Sequence, residues 1–357
     1  MSVWKLVKLN FGRSPAHFGE LGIGIEETSD RVRSDALFSA WVSVYARLFG
    51  KNAVEELLQR FPSEKHPQLI PPLRISSTFI YRQENEHTIY YLPRPLKFPI
   101  NYPAEDLEFF KTYKKLNYLP LEVWQRWYQG EGFIGGDAEE LKTETKGQSN
   151  GHLRQLGTFD YKKAFEIDQI PKIAVDRVTR ATNLYHTGFV QFRSDKNPSG
   201  LYFLLQLSPE GDKLADQLKA ALHLLGEEGL GGERSSGAGR FEIEWLELPE
   251  TWQSIVDFSA GNYHTLMSLF WDTLIKTEFL NNASYEIQER GGWITENQLR
   301  RKMVRMFSEG SVFKEEPQGK LVDVTPIQLV DDKGKYKFHP IYRSGISLSL
   351  SINIKEK

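Results

Sequence analysis

Two periodic patterns open the chain, first that of a strand and then that of a helix. Residues 3–9 are apolar apart from two lysines, which predicts a β-strand. After a glycine-containing loop, apolar residues at positions 37–48 recur with the spacing of one buried helical face. Ser34 or Asp35 is placed to cap this helix, and Gly50 is placed to end it. The pattern therefore predicts a strand followed by a helix that packs on a core.

Strand-like and helix-like segments continue in order through the first 250 residues. The segments that predict strands are residues 73–81, 88–92, 188–192, 201–207 and 241–248. A second helix is predicted to start at Ser208-Pro209 and to stop at Gly226. Strand, helix, hairpin, helix, strand is the order of a ferredoxin-like sheet with two helices on one face. Beyond residue 250 the pattern is mostly β, so we predict an α+β protein with domains at 1–250 and 251–357.

Composition excludes several classes of function. The 45 Lys and Arg residues against 47 Asp and Glu residues give a net charge of −2, so any nucleic-acid site must be local. Because the chain has no cysteine, disulfides, thiolate metal sites and cysteine nucleophiles are excluded. No secretion-signal order or long apolar run is present, which predicts a cytoplasmic protein without membrane contact. A polar, aperiodic segment at 130–157 predicts a mobile insertion.

The densest chemical signal is a glycine-rich loop at 229–240, GLGGERSSGAGR. Glycines let backbone N–H groups approach a ligand, and Arg234 and Arg240 add charge, so the loop is a candidate phosphate cradle. It is not a P-loop, because Ala238-Gly239 stands where Lys-Ser/Thr is required and a strand follows. It is not a dinucleotide fingerprint, because Arg234 stands where a third glycine is required. A plain helix-to-strand turn remains the alternative.

A second candidate site is the stretch from Asp176 to His186. Arg177 and Arg180 alternate there with hydroxyl and amide side chains, and Tyr185 follows. This combination suits a strand that tracks an RNA backbone and stacks one base on a ring. An ordinary solvated face is the alternative.

Two further groups of cations stand apart from these segments. Arg31 and Arg33 precede the first predicted helix, where unpaired N–H groups and the helix dipole favour an anion such as phosphate. Arg300-Arg301-Lys302 and Arg305 form another basic cluster, for which a solvated face is again the alternative.

The sequence offers little for metal binding or catalysis. The eight histidines show no metal-ligand spacing, so we predict no metal site and no cofactor. His17 could act as a general base, although a lone histidine in a loop is more often a polar or packing residue. No combination of nucleophile, base and orienting group emerges from the spacing.

Four stretches, in order along the chain, carry a family resemblance. They are the early segment 17–20 leading to 34–40, the glycine loop 229–241, the run 291–313 and the closing stretch 339–345. Together they resemble the fourth subunit of the type III-A CRISPR Csm effector complex, a RAMP protein related to the Cas-five group. The resemblance spans nearly the whole chain and is weakest from about 100 to 170.

The resemblance implies two ferredoxin-like (RRM-like) domains with a glycine-rich loop and insertions, and no catalytic centre. It implies an antiviral role in which the 5′ repeat-derived handle of crRNA is bound, with the stretch 176–186 as a β-hairpin that props the RNA. The implied protein partners are the large cyclase-polymerase subunit and the backbone RAMP subunit. Residue types and resemblance together predict RNA-binding roles for Arg31, Arg33, Ser34, Arg177, Arg180, Asn183, Tyr185, Gly231, Gly232, Arg234, Ser235, Ser236, Gly237, Gly239 and Arg240.

Two other functions remain open at this point. Related RAMP proteins include metal-independent ribonucleases that cut repeat RNA, so His17 or His186 could serve as a general base. A pure scaffold is the other possibility, with the acidic segment 242–257 and the C-terminal strands binding partner subunits.

Overall fold

The structure is a computed structural model that describes residues 2–20, 24–144, 159–294, 299–331 and 334–355. The helices in these ranges are α1 Ser34–Gln59, α2 Leu107–Lys114, α3 Leu121–Gln129, α4 Asp137–Glu144, α5 Pro209–Asp212, α6 Ala215–Glu228 and α7 Glu250–Val256. The strands are β1 Val3–Asn10, β2 Leu73–Ile75, β3 Phe79–Glu84, β4 His87–Pro93, β5 Tyr118–Pro120, β6 Phe165–Val175, β7 Thr182–Phe192, β8 Ser199–Leu207, β9 Glu242–Glu247, β10 Tyr263–Leu266, β11 Ile287–Arg290, β12 Trp293–Ile294, β13 Leu299–Arg300, β14 Val304–Phe307, β15 Val312–Phe313, β16 Leu321–Asp323, β17 Tyr342–Ser344 and β18 Ser349–Ile352.

The largest sheet has the strand order β5-β4-β3-β8-β1-β9, with antiparallel neighbours, and β2 also pairs with β8. α1 and α6 pack together, and the Trp41 indole N–H donates to the Leu218 carbonyl at 2.8 Å. β1, α1, β3, β8, α6 and β9 follow the predicted order of strands and helices. β3 and β8 pair although residues 85–198 separate them, so that long segment is an insertion within the unit. The predicted α+β class is confirmed.

α1 differs from its prediction at both ends. Its N-cap position is Arg33, with no side-chain cap, because the Ser34 hydroxyl accepts instead from the Leu269 N–H at 2.9 Å. Gly50 does not end the helix but kinks it, with φ of 83°, and the helix resumes to Gln59. Leu57 lies beyond the kink and is buried, so packing of the second segment sustains the helix past the glycine.

The second predicted helix is divided in two. Ser208 caps the short α5 by accepting from the Gly211 N–H at 3.1 Å, and α6 then begins at Ala215. Gly226 lies inside α6, which ends at Gly229 with φ of 90°. A glycine at positive φ is the common end of a helix, and Gly229 occupies that position.

The C-terminal part consists of small antiparallel sheets. β10 pairs with β15 and β18, while β11 pairs with β14, β12 with β13, and β16 with β17. After α7 the described residues contain no α-helix. Trp252, Tyr263 and Leu350 belong to the same buried cluster as the core of the large sheet. The second ferredoxin-like unit and a boundary between residues 250 and 251 stay predictions.

The predicted insertion at 130–157 is only partly described. Its first part contains α4, and Asp137 at the start of α4 is buried and accepts from the Arg126 guanidinium at 2.9 Å. Residues 145–157 lie outside the described residues. In the described ranges, no helix combines the length and the apolar character that crossing a membrane would need.

Candidate nucleic-acid interface

The glycine loop, residues 229–240, joins α6 to β9 along a path that favours glycine. Its glycines at positive φ are Gly229 (90°), Gly231 (100°), Gly237 (87°) and Gly239 (75°). Residues with a Cβ rarely adopt this conformation, whereas glycine adopts it without steric penalty. The glycines are therefore required by the shape of the loop, independently of any ligand.

The glycine loop is fastened to the segment around His17. The Gly232 N–H donates to the His17 carbonyl, and the Gly239 N–H donates to the Pro15 carbonyl, each at 2.8 Å. A Cβ on Gly231 would fall well inside contact distance of the His17 carbonyl oxygen, and one on Gly232 would lie 2.7 Å from His17 Cδ2. These glycines shape and anchor the loop, and the N–H groups of Gly232 and Gly239 are already used within the protein.

The exposed part of the loop is a 3₁₀ turn at Arg234–Ser236. The Gly237 N–H closes this turn on the Arg234 carbonyl at 2.9 Å, and the Ser236 hydroxyl donates to the Glu233 carbonyl at 2.8 Å. The side chains of Arg234 and Ser235 form no ion pair or hydrogen bond with any described residue. One guanidinium and one hydroxyl are thus free for a ligand.

Arg240 lies at the far end of the loop, beside a cleft. Its N–H donates to the Ser14 hydroxyl at 3.2 Å. Its side chain is exposed and lines a cleft of about 340 Å³ together with Arg13 and Gly12. The charge of Arg240 therefore lies on the side of the loop where residues 10–14 run.

β6 and β7 form a long two-stranded ribbon, residues 165–192. The strands pair without interruption from Phe165 opposite Phe192 to Val175 opposite Thr182. From residue 166 to 186 every residue is exposed or half-buried. A two-stranded ribbon with so little packing is only marginally stable by itself.

The tip of the ribbon is ordered by Asp176. Its carboxylate accepts from the N–H groups of Val178 at 2.7 Å and Thr179 at 2.8 Å, and these bonds lower the pKa of Asp176. Arg180 adopts φ of 57° and, like Arg177, is exposed and makes no ion pair with the described residues. Both predicted arginines therefore stand free on a preformed turn.

One face of the ribbon is turned toward the glycine loop. Cross-strand partners share a face, so Lys172 lies beside Tyr185. The Lys172 ammonium bonds to the Glu233 carboxylate and, at 3.2 Å, to the Ser236 hydroxyl. Asn183, two residues from Tyr185 on the same strand, lies on the same face. The two segments predicted separately from the sequence thus meet in one surface.

Lys172 was not among the predicted residues. It also lies over the Phe189 ring, 5.1 Å from its centre, and its hydrogen bond lowers the pKa of Glu233. The carboxylate of Glu233, the one acid in the loop sequence, is thereby neutralised beside Arg234. No motif marks Lys172, which stands between Pro171 and Ile173 in β6.

Arg31 and Arg33, which precede α1, do not form the open anion site that the sequence predicts. Arg33 bonds to Glu309 at 2.6 Å and to Glu20 at 2.9 Å, and Arg31 approaches Glu309 at 3.4 Å. Ser34 is 2% exposed, and its N–H donates to the Ser77 hydroxyl at 2.9 Å. Ser77 in turn donates to Glu309. The anion expected at this helix start is a carboxylate of the chain itself.

Electrostatics holds Glu309 ionised in this buried position. Burial alone would raise the pKa of Glu309, but Arg31, Arg33 and the Ser77 hydroxyl lower it below its usual value. The same carboxylate raises the pKa of Arg31, as does Tyr118 nearby. Arg31 and Arg33 are therefore committed to Glu309 in this structure.

Asp35 forms a second buried cluster one residue further along α1. It accepts from Arg290 at 2.9 Å through two guanidinium nitrogens and from Arg343. Burial would raise the pKa of Asp35, but the two arginines lower it. This cluster and the one at Glu309 tie the start of α1 to the C-terminal strands.

The two histidines considered for catalysis lie in different settings. His17 is buried, and its Nδ1 is 2.7 Å from the Gly188 carbonyl. His186 is exposed on the ribbon opposite Pro171, on the face turned away from Lys172. The described residues contain no cluster of histidines and acids that could hold a metal ion.

Comparison with known proteins agrees with the resemblance. Residues 259–352 match the CRISPR Csm4 C-terminal domain. A protein of Methanocaldococcus jannaschii, CRISPR system Cms protein Csm4, is 27% identical over an alignment that covers 96% of each chain. This similarity includes the ribbon and the glycine loop as well as the C-terminal part.

Two solved structures share the fold. A Csm3-Csm4 subcomplex of the type III-A CRISPR-Cas interference complex contains a chain that is 21% identical, with a TM-score of 0.60 over 98% of this chain and all of that one. A Csm1-Csm4 cassette in complex with AMPPNP contains a chain that is 18% identical, with a TM-score of 0.56 over the whole of both chains. These findings confirm the predicted resemblance: the chain is similar to Csm4 proteins over nearly its whole length, and residues 259–352 match the Csm4 C-terminal domain.

Proposed function

We propose that this chain is a non-catalytic subunit of a type III-A Csm complex that holds the 5′ repeat-derived handle of crRNA between the glycine loop and the ribbon. The observation that carries the proposal is the contact of Lys172 with Glu233 and Ser236, which unites the two segments in one surface. Because Glu233 is paired there, the cations around it face no competing carboxylate from the loop.

The groups on this surface match the needs of single-stranded RNA. Recognition of an unpaired strand requires cations for phosphates, rings for stacking and amides for base edges. Arg234 and Arg180 supply free guanidiniums, Tyr185 supplies the ring, and Asn183 supplies the amide. The ordered tip around Asp176 would hold the RNA where the handle meets the spacer.

The opposite face of the ribbon supports a role inside a larger assembly. Ile173 pairs with Leu184 there, and these side chains are 64% and 62% exposed. The same face carries Ile167 and Val175 and no Lys, Arg, Asp or Glu. Aliphatic side chains without charge suit contact with protein better than with RNA. The related chains named above occur with Csm3 and with Csm1, and we propose that this chain likewise joins a backbone subunit to the large subunit.

Photocrosslinking in the assembled complex tests the RNA site. A guide RNA with 4-thiouridine in its handle is assembled with all subunits, irradiated and digested, and the crosslinked peptides are identified. We expect peptides from residues 229–240 and from the ribbon, with no such crosslinks when the photoreactive base lies deep in the spacer. Handle crosslinks confined to other subunits would contradict the proposal.

A cleavage assay separates binding from catalysis. The purified chain is incubated with repeat RNA and EDTA, and the RNA is resolved on a denaturing gel. We expect intact RNA, since the His17 ring is buried and bonded to the Gly188 carbonyl. Specific cleavage that is lost in His17→Ala or His186→Ala would replace the binding proposal by the ribonuclease one.

A further inference from the structure

A second aromatic and cationic surface lies on the hairpin formed by β11–β12 and β13–β14. Trp293 pairs with Arg300 across this hairpin, and the guanidinium lies over the indole at 4.6 Å from the ring centre. The indole is nevertheless 58% exposed. A large ring that remains in solvent and is oriented by a stacked guanidinium is a preformed platform for a planar group.

Three cations follow this platform along the chain. Arg300, Arg301 and Lys302 form no ion pair with any residue that the structure describes. Arg305, on the next strand, pairs with Glu289 at 3.0 Å and is therefore not one of these unpaired cations. Arg300 thus stacks on the exposed indole, and two further cations follow it directly along the chain.

Arg301 is the least satisfied of these cations. It is half-buried, and its Nε is buried without a hydrogen-bond acceptor. Burial first, and then the charge of Arg343, lowers the pKa of Arg301. The Nε of Arg343 also lacks an acceptor, because Asp35 and the Gly291 carbonyl take its other nitrogens. The positive charges of Arg301 and Arg343 therefore lie near each other, and the nearby carboxylate of Asp35 is already bonded to Arg290 and Arg343.

The backbone beside these guanidiniums leaves room. Gly292 has φ of 143°, and a Cβ built on it would meet nothing nearer than Arg343 Nη2 at 3.9 Å. The Gly292 carbonyl accepts from the Arg301 N–H at 2.9 Å, which fixes Arg301 next to this gap. Within the described residues, the space beside Gly292 and the Arg343 guanidinium is therefore open.

We infer that Trp293, Arg300, Arg301 and Lys302 form a second contact for single-stranded RNA, in which one base stacks on the indole and an adjacent phosphate binds Arg301 and Lys302. This inference extends the proposed function, since it adds a contact for an RNA strand outside the glycine loop and the ribbon. A ring combined with cations is typical of base stacking next to a phosphate, whereas an acidic protein would need the cations alone.

The test measures binding of a fluorescein-labelled, mixed-sequence single-stranded RNA of about ten nucleotides to the full chain by anisotropy. Trp293→Ala should weaken binding by roughly 5- to 100-fold, the range for one stacked base, and leave the salt dependence unchanged. Trp293→Phe, which keeps a stacking ring, should stay within about threefold of the original chain. Lys302→Ala should lower the slope of log affinity against log salt by about 0.7.

Met303→Ala is the matched control, because Met303 lies on the same hairpin and is 60% exposed. It should leave RNA binding unchanged. The inference would be overturned if Trp293→Ala bound RNA with the affinity of the original chain. It would also be overturned if Met303→Ala lost as much RNA affinity as Trp293→Ala. An effect on the association with another subunit while RNA binding persists would also overturn it. Arg234→Ala, measured in parallel, reports on the proposed function, so the failure of one contact is distinguishable from the failure of the other.

Discussion

The start of α1 and the glycine loop each carry two arginines, yet the surroundings of the two pairs are opposite. Arg31 and Arg33 are drawn into the protein by Glu309, which is fully buried. Arg234 and Arg240 remain on the surface with no ion pair among the described residues. The difference is whether the fold brings a carboxylate to the arginine. It separates arginines that are paired within the fold from exposed arginines that we propose bind RNA.

The clusters at α1 should dominate stability. Asp35→Asn removes the negative charge and one of the two acceptor oxygens that Arg290 and Arg343 share, and it leaves both guanidiniums buried. We expect a loss of about 3–5 kcal/mol in the free energy of unfolding. Urea denaturation measures this loss. Glu210→Gln, which removes an exposed pair with Lys213, is the control and should leave the free energy of unfolding nearly unchanged. Similar losses in both variants would remove the distinction between the clusters and the surface.

Acid should weaken the same clusters. The folded-state pKa values of Asp35 and Glu309 are lowered from their ordinary values of 3.8 and 4.5. Their stabilising contribution is complete above those ordinary values and is lost as the pH falls below them toward the lowered pKa values. Urea unfolding of the original chain and of Asp35→Asn at successive pH values checks this. The fall in stability below pH about 4 should be smaller in the variant, and equal falls would contradict the assignment.

The glycine loop should be sensitive to shape where it touches His17. Gly231→Ala combines a positive φ with a clash on the His17 carbonyl, whereas Gly237→Ala has a positive φ and nothing within 4 Å. The conformational cost is about 1–3 kcal/mol in both, and the clash adds to it only at Gly231. In thermal and urea unfolding, Gly231→Ala should therefore be less stable than Gly237→Ala. Equal stability of the two variants would mean that the contact with His17 is not tight in solution.

The smallest effect should come from Lys172, which neutralises Glu233. Lys172→Gln releases that carboxylate beside Arg234, and we expect handle-RNA binding to weaken by about threefold. The double variant Lys172→Gln/Glu233→Gln should regain most of the lost affinity, because the repulsive charge is gone. Lys111→Ala on α2, an exposed lysine, is the control for loss of a positive charge. Failure of the double variant to recover would assign Lys172 itself to the RNA.

The order of helices and strands could be predicted because the spacing of apolar residues within each segment indicates its secondary structure. Trp41 and Leu37 are buried on the face that their spacing predicts, and the mostly apolar residues 3–9 form a strand of the sheet. The kink at Gly50 could not be predicted, since a glycine at positive φ ends a helix unless the next segment packs, as Leu57 does.

The candidate site could be predicted only as separate pieces. The loop and the stretch 176–186 have a distinctive composition, but the ion pair of Lys172 with Glu233 joins positions 61 residues apart. Arg33 and Glu309 are 276 residues apart, and nothing near Arg33 indicates that its charge is taken. The sequence therefore identifies the arginines, whereas only the tertiary contacts show which are free.

The most direct test of the distinction between free and paired arginines is a salt titration of handle-RNA binding to Arg234→Ala, Arg180→Ala and Arg33→Ala. Each loss of a phosphate contact lowers the slope of log affinity against log salt by about one at most. We predict a lowered slope and roughly tenfold weaker binding for Arg234→Ala and for Arg180→Ala, with unchanged stability. Arg33→Ala should retain the slope and lose stability. A lowered slope in Arg33→Ala, with the original slope kept in the other two, would contradict the account.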